Sequence, residues 1–402
     1  LASGPMGYSF STDPDFTFRT QVAIGGIPHG LGDAGEILAA VERIPAGDNH
    51  AWAAQFTGLA DRVAGIATGC QGRGQHRSAR DAFLRASTYY SFALEALQYF
   101  TDDNAIRSAF HSHRQCWEAF ADLNEPHLER ITIPYKDTEM PGYFLSVDGT
   151  KRPTLILING SDGAVTWLWP EMQAAFDRGY NALIFDGPGQ QSMLFDRGIP
   201  FRPDWEHVIT PVVDALLART DVDADALVLF GGSQGGYWAP RAMAFEHRIA
   251  AGVFDPGVMD ISTSWLSHFP AELVQLLDSG DQKSFDAAMG PALAAPPLAQ
   301  TWTFRARPYG VSSPFSLFRA MRSYVLSDVA SQITAPVMIC DPENESFWPG
   351  QAQQLADAVG GPAHLVTFTA AEGADMHCEP MARSLVHQRM YDWLADTLPG
   401  AG

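Results

Sequence analysis

A chain of 402 residues exceeds what one hydrophobic core usually organises, so two domains, or one domain with large insertions, are expected. Its 46 acidic against 26 basic residues leave a formal charge of -20, which argues against nucleic acid or an anionic membrane as partner, since both need clustered Lys and Arg. No apolar run approaches the roughly 20 residues that cross a bilayer, and no charged-then-apolar leader opens the sequence, so a cytoplasmic location is expected.

Residues 1–45 are rich in Gly, Pro, Asp and Ser with little periodicity and read as an arm lying on the fold. From Asp48 to Asn124 the spacing becomes helical: Trp52, Phe56 and Leu59 form one apolar stripe, and Phe83, Tyr90, Leu94 and Leu97 another. Gly72-Arg73-Gly74 is a loop between helices and no phosphate cradle, because no strand precedes it. Residues 1–125 are therefore expected to form an arm and an all-helical cap domain. The four cysteines, Cys70, Cys116, Cys340 and Cys378, lack C-x-x-C spacing and read as free thiols.

Residues 126–402 alternate strands with helices. Leu128–Tyr135 and Met140–Ser146 read as a hairpin, and Pro153–Ile158 and Ala182–Phe185 as fully apolar strands ending in Asn159-Gly160-Ser161-Asp162-Gly163 and Asp186-Gly187-Pro188-Gly189-Gln190. Trp205–Arg219 is helical. The run Ala226–Phe230 then collides with Gly231-Gly232-Ser233-Gln234-Gly235, a G-x-S-x-G turn between strand and helix that lifts a serine oxygen above a sheet. Strands follow at Ile249–Asp255, Pro336–Cys340 and His364–Phe368, with a closing helix over Met381–Leu398. Between them, about 261–328, the alternation lapses into an aromatic-rich stretch expected to be a lid over the strand ends. Such βαβ alternation demands a mostly parallel sheet covered on both faces, with ligands at the carboxyl ends of its strands.

A serine hydroxyl is a poor nucleophile and needs a base oriented by a carboxylate. His377, in the loop after the last strand, is the candidate base for Ser233. The acid is open: Asp341, Glu343 and Glu345 follow the penultimate strand, and Asp255 ends the strand after the turn. The Gln234 amide, with that of Ser161 or its neighbour Asp162, would form an oxyanion hole. Trp167, Tyr237, Trp238, Trp265, Trp302 and Trp348 are expected near the strand ends, lining an apolar pocket for an aromatic or polycyclic acyl substrate. No metal or other cofactor is expected, since His76, His111 and His113 form no zinc-like spacing.

From Leu128 to Leu398 these motifs, together with Phe347-Trp348-Pro349-Gly350-Gln351 and Glu372-Gly373-Ala374-Asp375-Met376-His377-Cys378, resemble the α/β-hydrolase fold. Within it the chain resembles the group with an N-terminal helical domain typified by 2,6-dihydroxypseudooxynicotine hydrolase and the fungal pigment hydrolases that shorten polyketides. The resemblance implies a serine hydrolase acting on a small molecule, at a carbon–carbon bond of an aryl ketone or β-diketone or at an ester. It places the acid four residues before Pro349, at Glu345, where the commoner residue is aspartate, and it implies a homodimer. A hydrolase-fold protein that only binds a small molecule or partner is the competing expectation.

Overall fold

Eight strands form one sheet in the order β1-β2-β4-β3-β5-β6-β7-β8. They are β1 (Glu129–Tyr135), β2 (Thr138–Leu145), β3 (Arg152–Ile158), β4 (Asn181–Phe185), β5 (Val222–Gly232), β6 (Ala251–Asp255), β7 (Val337–Pro342) and β8 (Ala363–Phe368). β1 pairs antiparallel with β2 and β2 with β4, and every pairing from β4 to β8 is parallel. This computed structural model describes residues 8–398, so the first seven residues of the expected arm lie outside it.

Successive side chains of a strand point to opposite faces, and the central strands bury both. Leu155 and Leu157 of β3 and Val228 and Phe230 of β5 join one apolar cluster, whereas Ile156, Ile158, Leu227 and Leu229 join the other.

The N-terminal segment supplies α1 (Pro14–Gly25), α2 (Ala34–Val41), α3 (Asn49–Gly72), α4 (His76–Leu97) and α5 (Asp103–Leu123). The stretch expected to be an irregular arm is thus largely helical. Asp13 and Asp33 cap α1 and α2 by accepting from the Phe16 and Gly35 N–H groups, so the polar and glycine residues that looked like a coil mark helix ends. Trp52, Phe56, Trp117 and Phe120 from this segment share the first cluster with Leu155, Leu157 and Val228. The helical segment and the sheet therefore have a core in common.

The same face also carries α6 (Trp169–Asp177), which follows β3, and the last helix, α16 (Arg383–Thr397). Between them along the chain come α7 (Gln191–Phe195), α8 (Glu206–Leu217), α9 (Gly235–Met243), five helices between β6 and β7, and α15 (Gln351–Ala358). The five are α10 (Thr263–Leu266), α11 (Ala271–Ser279), α12 (Gln282–Leu293), α13 (Pro296–Ala306) and α14 (Pro314–Met321). Residues of α8, α9, α15 and these inserted helices form the second cluster. Among the described residues no helix is long and apolar enough to cross a membrane.

Because Trp52 is fully buried in the shared cluster, Trp52→Ala should cost about 3–5 kcal/mol. The check is the urea midpoint, which should fall together for far-UV circular dichroism and tryptophan fluorescence.

Candidate active site

Ser233 stands between β5 and α9 with φ of +54°, a left-handed conformation that a serine adopts only where its surroundings enforce it. Its N–H donates to the Asp255 carbonyl at 2.7 Å and its carbonyl accepts from Gly236 at 2.8 Å. The turn is too tight for side chains on either flank: a Cβ on Gly231 would lie 2.1 Å from the Gly235 carbonyl oxygen, and one on Gly235 2.9 Å from that of Ile158.

His377 arrives from the loop after β8. Its Nε2 lies 2.9 Å from Ser233 Oγ and its Nδ1 2.7 Å from Glu345 Oε2. A carboxylate only accepts, so Nδ1 carries the ring proton and Nε2 accepts from the serine hydroxyl. Burial would push the Glu345 carboxyl up, but the facing imidazole and the Phe347 and Trp348 N–H donors outweigh it and hold the group below the usual carboxylate range. Those two amides reach Glu345 Oε1 at 2.7 and 3.2 Å. Asn344 joins the two loops, donating from its N–H to the Asp375 carbonyl at 2.8 Å and from Nδ2 to the Asp375 carboxylate at 2.6 Å.

The other acidic candidates stand elsewhere. Glu343 accepts from the Ala370 N–H at 2.8 Å, and Asp255 pairs with Arg383 at 2.8 Å. Asp341 is partly buried, its carboxyl raised by burial and by the nearby Glu345 charge. None of the three is hydrogen-bonded to His377.

The loop after β3 lies against Ser233, since a Cβ on Gly160 would come within 2.8 Å of Ser233 Cβ. Gln190 fixes that loop, its Nε2 donating to the Asn159 and Gly160 carbonyls at 2.8 and 3.0 Å. Asn159 in turn accepts from the Gly160 N–H and donates to the Ala164 carbonyl. Ser161 and Asp162 therefore sit on a braced turn, where the α13 residue Arg305 reaches Ser161 Oγ at 3.3 Å and Asp162 Oδ2 at 3.2 Å.

Of the aromatic residues expected to line a pocket, Trp348 is close to His377, its ring 5.8 Å from the imidazole. Tyr237 and Trp238 are instead fully buried core. α9 turns them towards the chain before α8, where the Tyr237 hydroxyl donates to the Pro203 carbonyl and Trp238 stacks on Trp205 at 4.7 Å. Trp265 and Trp302 pack on Phe318 at 5.8 and 6.4 Å, giving the inserted helices an aromatic centre of their own. Trp167 packs 6.4 Å from Phe92, and its Nε1 donates to Ser91.

Two rings that the sequence reading did not place at the pocket stand beside the imidazole: Phe347 at 4.6 Å and Phe18 of α1 at 6.3 Å. Phe347 adjoins a residue already of interest, but Phe18 lies more than 350 positions upstream of His377. A cleft of about 480 Å³ lined by His29, Arg85, Trp169 and Gln173 lies apart from Ser233, His377 and Glu345, none of which reaches its wall.

The model of the alpha/beta hydrolase family matches residues 155–397. The chain belongs to that family and is a hydrolase. It is 28% identical over 404 residues to "Hydrolase LUC6" of a Fusarium species, covering 95% of this chain and 96% of the relative. Against "20-hydroxy-prefusarin hydrolase FUS2" of Gibberella moniliformis the identity is 26%, with 95% and 96% covered. Among solved structures it is similar to 2,6-dihydroxy-pseudo-oxynicotine hydrolase, with a TM-score of 0.74 at 21% identity over 94% of this chain and 96% of that one. At that identity the likeness speaks to the fold, helical segment included.

Gly160→Ala should leave the fold in place but displace the Ser233 side chain, lowering turnover or active-site labelling by roughly 10- to 100-fold. Labelling rates compared at equal folded concentration, set by near-ultraviolet circular dichroism, test this.

Proposed function

We propose that this hydrolase cleaves an acyl bond in an aromatic or polyketide-like small molecule, using Ser233 as nucleophile, His377 as base and acid, and Glu345 as the carboxylate that orients it. The observation that carries the reading is the unbroken relay from Glu345 Oε2 through both ring nitrogens of His377 to Ser233 Oγ.

In the first half-reaction Ser233 Oγ bonds to the carbonyl carbon while its proton passes to His377 Nε2. Glu345 stabilises the resulting imidazolium without taking its proton. The oxyanion faces the Gln234 and Ser161 amides, at the amino end of α9 and on the loop braced by Gln190. The leaving group departs with its bonding pair and takes the proton from His377. Water then attacks the acyl-enzyme, gives its proton to Nε2 and releases a carboxylic acid with Ser233 restored.

The same relay serves an alkoxide leaving from an ester or a resonance-stabilised carbanion leaving from a β-diketone, because the substrate supplies the difference. The aromatic rings of Phe18, Phe347 and Trp348 around His377 suit an aromatic acyl group better than a sugar or phosphate. The relative named for 20-hydroxy-prefusarin favours a polyketide-like small molecule as substrate. Four free cysteines accord with the reducing cytoplasm. The resemblance adds a homodimer, which light scattering on the purified chain would measure.

A fluorophosphonate probe should label Ser233 in the wild type and nothing in Ser233→Ala. Absence of an adduct on the folded wild type would replace this reading with a binding protein. Glu345→Gln should retain the fold and lose about 10³–10⁴-fold in kcat, because an amide donor facing Nδ1 selects the wrong tautomer. Turnover of p-nitrophenyl butyrate, beside an aryl β-diketone, measures that loss and separates ester from carbon–carbon cleavage.

The wild-type pH profile should keep its Glu345 contribution at mildly acidic pH. A carboxyl held below its ordinary value stays charged above the usual carboxylate range and gives up its stabilisation only as pH falls through the depressed value. Acid unfolding of wild type against Glu345→Gln should show the variant's smaller loss of stability below that range.

A further inference from the structure

Behind the relay lies a second set of charges that the chemistry above does not use. Glu171 of α6, Asp255 at the end of β6 and Glu379 after β8 are all buried, and they surround the guanidinium of Arg383. Arg383 Nη1 donates to Asp255 Oδ2 at 2.8 Å and reaches Glu379 at 3.5 Å, while Nη2 bonds Glu171. The same Nη1 donates to the Cys378 carbonyl at 2.8 Å, one residue beyond His377. His387, which also packs here, is 3.5 Å from Glu171 and is driven towards its neutral form by burial.

Three buried carboxylates around one guanidinium cannot all stay charged. Burial, and then the Asp255 charge, raise the Glu379 carboxyl far above the ordinary range. The cluster then holds Arg383 against two carboxylates from two layers of the fold. The turn it grips is unusual: Cys378 and Glu379 have φ of +57° and +39°, the left-handed region that side chains seldom adopt. The Glu379 N–H closes this turn on the Met376 carbonyl at 2.8 Å. Asp255 also accepts, through its carbonyl, the N–H of Ser233. One residue thus meets both the strand end that carries the nucleophile and the turn that carries the base.

We propose that Arg383 is a positioning residue: by tying the Cys378 carbonyl to Asp255 and Glu171, it fixes His377 at hydrogen-bonding distance from Ser233. The inference rests on the relay proposed above. Without this grip the left-handed turn relaxes towards ordinary backbone angles, and the imidazole moves while the oxyanion loop, braced separately by Gln190, stays in place. Arg383 touches no reacting atom, so its effect must run through His377.

The test is a cycle on the full chain with a fluorophosphonate probe and p-nitrophenyl butyrate. Arg383→Lys keeps the cation but loses the fork that spans carbonyl and carboxylates. It should label about 10²-fold more slowly, with the loss in kcat and KM little changed. In a His377→Ala background the same substitution should add nothing, because the residue it positions is gone. Arg383→Met is the second variant and should fall further in the wild-type background, with the same null effect beside His377→Ala. Equal losses in both backgrounds, or wild-type labelling rates in folded Arg383→Lys, would overturn the inference and leave the relay standing. A folded wild type that takes no label at Ser233 would remove both together.

Discussion

A serine held at φ of +54° between a parallel strand and a helix is the constraint on which the rest of the molecule depends. The conformation costs on the order of 1–3 kcal/mol and persists only where packing over-determines it. Here β3, β5 and β6 close around the turn so tightly that a single methyl on Gly231 or Gly235 would meet backbone oxygen. The Asp255 carbonyl receives the serine N–H from the neighbouring strand. Strain at one residue is thereby offset by three strands that would be needed for the sheet in any case.

Around that point the structure divides its polar groups between two tasks. Glu345 spends its acceptor capacity on the imidazole and on two backbone amides, which keeps it charged despite burial. A little further back, burial and the Asp255 charge raise the Glu379 carboxyl, while Asp255 and Glu171 are ion-paired with Arg383. Carboxyls that follow neighbouring strands of the sheet are so shifted in opposite directions, Glu345 down by the imidazole and amides that face it and Glu379 up by burial and the Asp255 charge.

The sheet was readable because its strands bury both faces and leave long aliphatic runs, as in Leu155–Ile158 and Leu227–Phe230. The glycines around Ser233 and the position of His377 after the last strand were visible for a similar reason: tight backbone leaves a mark in residue type. The choice among Asp341, Glu343, Glu345 and Asp255 was not readable from spacing, since it depends on which loop register Asn344 and the Phe347 and Trp348 amides stabilise. Tyr237 and Trp238 misled because their place beside the serine in sequence says nothing of where a helix turns its side chains. Phe18 comes from a helix far upstream, and Arg383, though close to His377 along the chain, left no local pattern. Capping aspartates hid the first two helices inside what looked like coil.

The helical segment of about 120 residues at the start of the described chain shares one apolar cluster with the sheet, Trp117 meeting Tyr143 of β2 and both Trp117 and Phe120 meeting Trp169 of α6, and it brings the Phe18 ring to 6.3 Å from that of His377. It is therefore not an accessory that a hydrolase domain carries and could shed. A fragment starting at Leu128 would keep α6 and α16 on that face but would expose the apolar side chains that Trp117 and Phe120 cover, Trp169 and Tyr143 among them, and would bare the flank of the imidazole where that phenyl ring stands.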